Sequence, residues 1–193
     1  MSSETSQKSK KYAIILADPP WRFNVWNRDT GCGRSADSHY KTMTLDDIKE
    51  LKIPSSDNSV LFMWAVLPQL NEALQVIKSW GFTFKTVAFV WVKLNKDGTP
   101  FTGMGYWTRA NAEICLLATK GKISRQSKSV KQVILSQRQE HSKKPDEVRN
   151  RIVQLMGDLP RIELFARQKT EGWDVWGNEV ESDIDLSQHM GGK

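Results

Sequence analysis

Apolar residues along this chain gather into short continuous blocks, separated by longer stretches with helical or no periodicity. Residues 12–17 and 60–66 are apolar throughout, and residues 86–92 are dense in β-branched and aromatic side chains. Unbroken runs of this length read as strands covered on both faces, as in a parallel sheet. Residues 112–118, 132–135 and 161–166 are further strands of the same kind. Between them the period changes. Residues 68–80 place Leu70, Ala73, Leu74 and Ile77 on one helical face and stop at Gly81. Residues 145–156 do the same with Val148, Ile152 and Leu155, closed by Gly157, and residues 44–51 form a short helix with Thr44 and Asp47 as an acidic capping box. Strands alternating with helices predict a mostly parallel α/β sheet.

Two stretches have no period. Residues 22–41, with Gly31 and Gly33, are long enough to predict a lid or binding loop, and residues 95–111, with Gly98, Gly103 and Gly105, a mobile loop. Residues 1–10 read as a flexible leader and 181–193 as a flexible tail, so the expected domain is a single one over residues 11–180. At 193 residues the chain suits one domain with a sizeable core. Its charge of +6 and pI near 9.3 suit a polyanionic partner. Two cysteines and three scattered histidines make neither a disulfide framework nor a metal site. With no membrane-spanning run and no signal pattern, a soluble protein of a reducing compartment is expected.

The most informative residues are Asp18, Pro19, Pro20 and Trp21, directly after the first strand. Open α/β sheets place ligands at the carboxyl ends of their strands. Consecutive prolines make a stiff corner whose carbonyls are left to accept hydrogen bonds. Beside them stand a carboxylate and a large flat ring. A planar base with an exocyclic amine fits that set: carboxylate and carbonyl accept its two hydrogens, and the indole stacks. The plainer alternative is a strand-ending turn with a core tryptophan. A second group follows the last strand: Arg167, then Gly172-Trp173 and Trp176-Gly177-Asn178-Glu179. Asn and Glu suit ribose hydroxyls, and Arg167 a carboxylate. Lys93, ending the strand at residues 86–92, can reach a ligand carboxylate or be a solvated terminus.

Together these blocks resemble the MT-A70 family of S-adenosylmethionine-dependent N6-adenine methyltransferases. The resemblance runs from about residue 12 to 179, through Asp18-Pro19-Pro20-Trp21, His39-Tyr40, Val90-Trp91-Val92-Lys93, Ser142-Lys143-Lys144-Pro145-Asp146-Glu147, the last strand and Trp176-Gly177-Asn178-Glu179. It implies a Rossmann-like sheet with helices on both faces, in permuted order, with the catalytic strand first and the cofactor strand last. It implies S-adenosyl-L-methionine as cofactor, and no metal. Asp18 with the Pro19 carbonyl would hold the adenine amine within the Pro19–Pro20 corner. Trp21 would wall the pocket and Tyr40 would be an aromatic contact. Asp18, Lys93 and Arg167 would lie at the cofactor's methionine end, and Asn178 and Glu179 on its ribose. Transfer would be a direct displacement without a covalent enzyme intermediate.

The chain departs from the messenger-RNA-modifying members. Lys169-Thr170 replaces a His-Asn pair, and with the first strand near residue 12 neither their cysteine-rich zinc-finger extension nor their preceding cofactor-contacting segment is expected. The loop at residues 31–40 is more similar to the compact bacterial and phage branch, which implies DNA over RNA and a cytoplasmic setting. Arg22, Arg34 and His39 in the first loop, Trp107 and Arg109 in the second, and Lys143 and Lys144 in the basic run beyond Arg138 are the expected nucleic-acid contacts. A dimer or a partner subunit would complete so small a binding surface. The competing readings are RNA methylation, a catalytically silent nucleic-acid-binding subunit, N4 methylation of cytosine, and methylation of a protein amide.

Overall fold

The computed structural model describes residues 10–21, 43–105, 107–139 and 143–186. Seven strands form one sheet in the order β5-β3-β4-β2-β1-β6-β7. They are β1 (Tyr12–Ala17), β2 (Ser55–Ala65), β3 (Thr83–Leu94), β4 (Ala112–Lys120), β5 (Val133–Gln137), β6 (Arg161–Leu164) and β7 (Asp174–Trp176). β1 pairs in parallel with β2 and β6, β6 with β7, and β3 with β5. β4 alone runs backwards, antiparallel to both β2 and β3. It does so because the chain leaves β3 and re-enters β4 at the same edge, whereas a parallel return would need a crossover.

Side-chain alternation splits the core into two layers, one on each face of the sheet. Ile15, Ala17, Leu61 and Met63 face helices α1 (Leu45–Glu50) and α2 (Leu70–Ser79), meeting Ile48, Val76, Ile77 and Trp80. Ile14, Leu16, Phe62 and Trp91 face α3 (Glu147–Met156), meeting Val148, Ile152 and Met156. Helices therefore cover both faces of a mixed, mostly parallel sheet, an α/β Rossmann-like architecture.

Local signals set most element ends. The Thr44 hydroxyl accepts from the Asp47 N–H, and the Asp47 carboxylate from the Thr44 N–H, completing the expected box at α1. Pro68 falls within one turn of 3-10 helix (Leu67–Gln69), so α2 starts two residues later than the periodicity suggests. Gly81, at φ +79°, then reverses the chain.

Other expectations change. β2 begins at Ser55, upstream of its apolar run, with an irregular register between Tyr12 and Ile14. β7 was not foreseen as a strand, since three residues are too few to show a period. The stretch between β3 and β4 forms no helix or strand among its described residues, as expected of a loop, and it folds back on itself, with Asn95 and Phe101 donating to the carbonyls of Thr99 and Lys93. Beyond residue 180, the Asp183 carboxylate accepts from the Val175 N–H while Asp183 N–H donates to the Val175 carbonyl, and Leu186 is buried. Leu186 packs into the core layer that faces α1 and α2. The first expected loop, with Arg22, Arg34, His39 and Tyr40, lies outside the described residues. Among those described, no helix is long and apolar enough to cross a membrane, and no cluster of His, Cys, Asp or Glu could hold a metal.

Candidate functional site

Because β1, β3 and β6 point the same way, their carboxyl ends share one edge, and β4 starts there. Asp18 leaves β1 at that edge, its N–H 3.4 Å from the Leu164 carbonyl. Pro19 and Pro20 turn the chain sharply. The Pro19 carbonyl accepts from the Trp21 N–H at 2.8 Å, and the Pro20 carbonyl from the Met43 N–H at 3.4 Å. Each carbonyl expected to be free thus takes one protein donor and keeps a second lone pair. The Trp21 ring is only 6% exposed, and its Nε1–H donates to the Trp64 carbonyl at 3.2 Å. The structure places this indole in the core below the corner, as the plainer alternative had it.

The Asp18 carboxylate heads a ladder of alternating charge. Lys144 Nζ lies 2.8 Å from Asp18 Oδ2 and 3.3 Å from Glu113 Oε2, and Glu113 Oε1 takes Lys93 Nζ. Burial would by itself lower the Lys144 ammonium, but Asp18 and Glu113 outweigh it and hold the group above its usual value. Burial would likewise raise the Glu113 carboxyl, yet the Lys144 and Lys93 charges keep it below the usual range. Glu113 and Lys144 therefore stay ionised at neutral pH. Cys115 lies below, its thiol pushed well up by burial and further by the Asp18 charge.

A second pair sits behind the corner. Glu163 on β6, opposite Leu16, accepts from Arg149 Nε and Nη2 at 2.7 and 2.8 Å. Burial raises its carboxyl, Arg149 opposes this, and Asp18 and Asp146 tip the balance upward. Past Glu163 the chain is strained: Phe165 has φ +61°, and its ring meets Trp176 edge-on at 5.3 Å. The Ala166 N–H donates to the Trp176 carbonyl, and a Cβ on Gly177 would strike the Ala166 carbonyl oxygen. Only glycine allows that approach. It sets Arg167, 3.8 Å from Glu179, against the Asn178–Glu179 turn. Beside this segment a cavity of about 550 Å³, lined by Asp146, Arg149, Gln168, Thr170 and Trp173, opens against α3. Thr170 Oγ1 and Arg161 Nε, which also lines it, are buried with no hydrogen-bond partner among the described residues.

The expected residues thus fall into groups. Asp18, Lys93 and Lys144 meet in the ladder, with Lys144 gripping the Asp18 carboxylate instead of facing solvent. Arg167 and Glu179 pair at the ends of β6 and β7. Lys143 turns to Asp146, and Trp107 and Arg109 stand exposed on the β3–β4 connection. Glu113, Glu163 and Arg149 were missed. The two acids had a signal, since each interrupts an apolar strand where an unpaired carboxylate is costly. Arg149 had none, being one cation among many.

A Rossmann-like sheet with a carboxylate–proline corner at the carboxyl ends of its strands has its polar residues where open α/β sheets place ligands. The sequence matches the MT-A70 family over residues 12–179, and the chain belongs to that family of methyltransferases. It is 36% identical over 189 residues to the type II methyltransferase M.MunI of a Mycoplasma species, covering 89% of this chain and 78% of that protein. It is 28% identical over 177 residues to the human N(6)-adenosine-methyltransferase catalytic subunit METTL3, and 27% over 174 residues to an MT-A70-like N(6)-adenosine-methyltransferase of Arabidopsis thaliana. These alignments cover 89% and 88% of this chain. The chain spans about a quarter of the length of these two relatives, 28% and 24%.

Proposed function

We propose that this protein transfers a methyl group from S-adenosyl-L-methionine to the N6 amine of adenine in DNA. The observation that carries the reading is the Asp18 carboxylate, held by Lys144 against a proline corner at the carboxyl end of β1. Lys144 takes Oδ2, so Oδ1 and the second lone pair on the Pro19 carbonyl are the acceptors for the two amine hydrogens. Accepting both draws the nitrogen lone pair out of conjugation with the ring and leaves it free to attack the methyl carbon as the carbon–sulfur bond breaks. Asp18 need not be a strong base, because the amine becomes acidic only as the new C–N bond forms, when Oδ1 can take its proton. Positioning and fixed charge do most of the work.

The residues present fit the cofactor. Asn178 and Glu179 would hold the ribose hydroxyls, and Arg167 and Lys93 the methionine end. When bound, the cofactor supplies an electrophilic sulfonium methyl. Greater identity and coverage with a type II methyltransferase favour DNA, and the N(6)-adenosine-methyltransferase relatives favour RNA as the second reading.

The test is transfer of labelled methyl groups to single-stranded DNA, duplex DNA and RNA, with digestion and nucleoside mass spectrometry. N6-methyladenine in DNA, lost in Asp18→Asn with the fold intact, is the expected result. Label in RNA alone moves the substrate to RNA. Cofactor binding without any labelled nucleic acid refutes the proposed activity.

A further inference from the structure

An adenine amine inside a duplex is paired and stacked, so transfer at N6 requires the base to leave the stack, which costs a few kcal/mol. The Asp18 corner supplies hydrogen bonds but little stacking, because the Trp21 ring is buried and its N–H is bonded to Trp64. Among the described residues, compensation for the lost stacking has to come from elsewhere on the same edge of the sheet.

The β3–β4 connection leaves from that edge. Its root is bonded to the ladder: Lys93 N–H donates to the Asn111 carbonyl, Phe101 N–H to the Lys93 carbonyl, and the Lys93 side chain meets Glu113, which shares Lys144 with Asp18. The Arg138 guanidinium lies 3.6 Å from the centre of the Phe101 ring and stiffens the root further. Beyond Phe101 the two limbs press together so closely that a Cβ on Gly103 would strike the Ala110 carbonyl, and one on Gly105 the Thr108 carbonyl. The result is a narrow arm. Near its end stand Met104, 72% exposed, and Trp107, 98% exposed, the two most exposed large apolar side chains among the described residues. Lys96 and Arg109 on the connection and Arg138 on the Phe101 ring are exposed, and Asp97 is the one exposed carboxylate among the described residues of the connection.

Resting on the proposed transfer reaction, we infer that this arm is a duplex wedge, whose Trp107, backed by Met104, enters the base stack and takes the place of the extruded adenine. Inserted apolar side chains unstack and kink DNA in this way, and an indole stacks on any base without reading it. The flanking cations hold phosphates on either side of the insertion. A protein interface would call for a contiguous apolar area, whereas two isolated apolar side chains on a connection that also carries Lys96 and Arg109 suit a polyanion.

The test compares the full chain with Trp107→Ala and Trp107→Phe on native and heat-denatured plasmid DNA, counting N6-methyladenine. Trp107 makes almost no internal contact, so the variants should fold. The alanine variant should lose at least about tenfold on native plasmid and less than about threefold on the denatured form, where no stack resists extrusion. Trp107→Phe should restore most of the native-plasmid rate. Equal loss on both forms, no loss on native plasmid, or a changed oligomeric state by sedimentation overturns the wedge while the transfer reaction stands. A wild-type protein that methylates neither form overturns both.

Discussion

Replacing Arg149 with methionine removes the partner of the Glu163 carboxylate while keeping a side chain of similar length against β6. Glu163 is 8% exposed, and both its oxygens take guanidinium hydrogen bonds. Stripping one partner from a buried pair of this geometry costs about 3–5 kcal/mol, mostly because the remaining charge is left uncompensated. In a protein of this size each kcal/mol moves Tm by about 2–4 °C, so a fall on the order of 10 °C is expected at pH 7. The deficit should depend on pH with a definite sign. The folded Glu163 carboxyl already lies above its usual value, and without Arg149 burial pushes it higher. Its neutral form is then the one the fold favours, so the deficit is smallest near pH 4 and below and grows as pH rises through the folded-state value. Urea unfolding of wild type and variant between pH 5 and 8 measures this. The double variant Arg149→Met with Glu163→Leu should recover most of the loss, since two apolar side chains no longer bury a charge. A loss below about 1 kcal/mol, a deficit flat in pH, or a double variant no more stable than the single one would refute the account.

Lys144→Met should lower kcat by roughly 100-fold, because Asp18 loses its cation and Glu113 keeps only Lys93; single-turnover methyl transfer measures it. Gly177→Ala places a methyl group against the Ala166 carbonyl and should cost about 1–3 kcal/mol of stability. Calorimetric titration of that variant with S-adenosyl-L-methionine should show weakened binding, since the Asn178–Glu179 turn is displaced. Trp80→Phe removes the buried donor to the Ile48 carbonyl at 2.8 Å and should cost about 1–3 kcal/mol in thermal unfolding. In a Cys32→Ser background, Cys115 should resist thiol reagents at pH 8 until urea unfolds the chain, because burial holds its thiol protonated.

The sequence carried the fold class because its central strands are continuous apolar runs and its helices keep one apolar face, and both patterns survive without knowledge of neighbours. It also carried Asp18 and its prolines, since a corner after a buried strand follows from local stereochemistry alone. Gly177 was visible as a residue, but the reason for it is the Ala166 carbonyl, eleven positions earlier in the chain and one strand away. The fate of Trp21 and Lys144 was hidden for the same cause. An indole beside a turn can face a ligand or the core, and a lysine in a basic run can face solvent or a carboxylate. Only the packing of β1 on β2 and the passage of residues 143–145 across the sheet edge settled both.

The chain by itself therefore determined which segments are strands and helices, and which corner holds the carboxylate. These follow from period, propensity and backbone restriction, which act over a few residues. Tertiary structure alone decided the Asp18–Lys144–Glu113–Lys93 ladder, the Arg149–Glu163 pair and the rooting of the β3–β4 arm beside them. Charges from distant positions meet there in partly dehydrated surroundings, and their energies depend on distance and burial, which the order of residues does not specify.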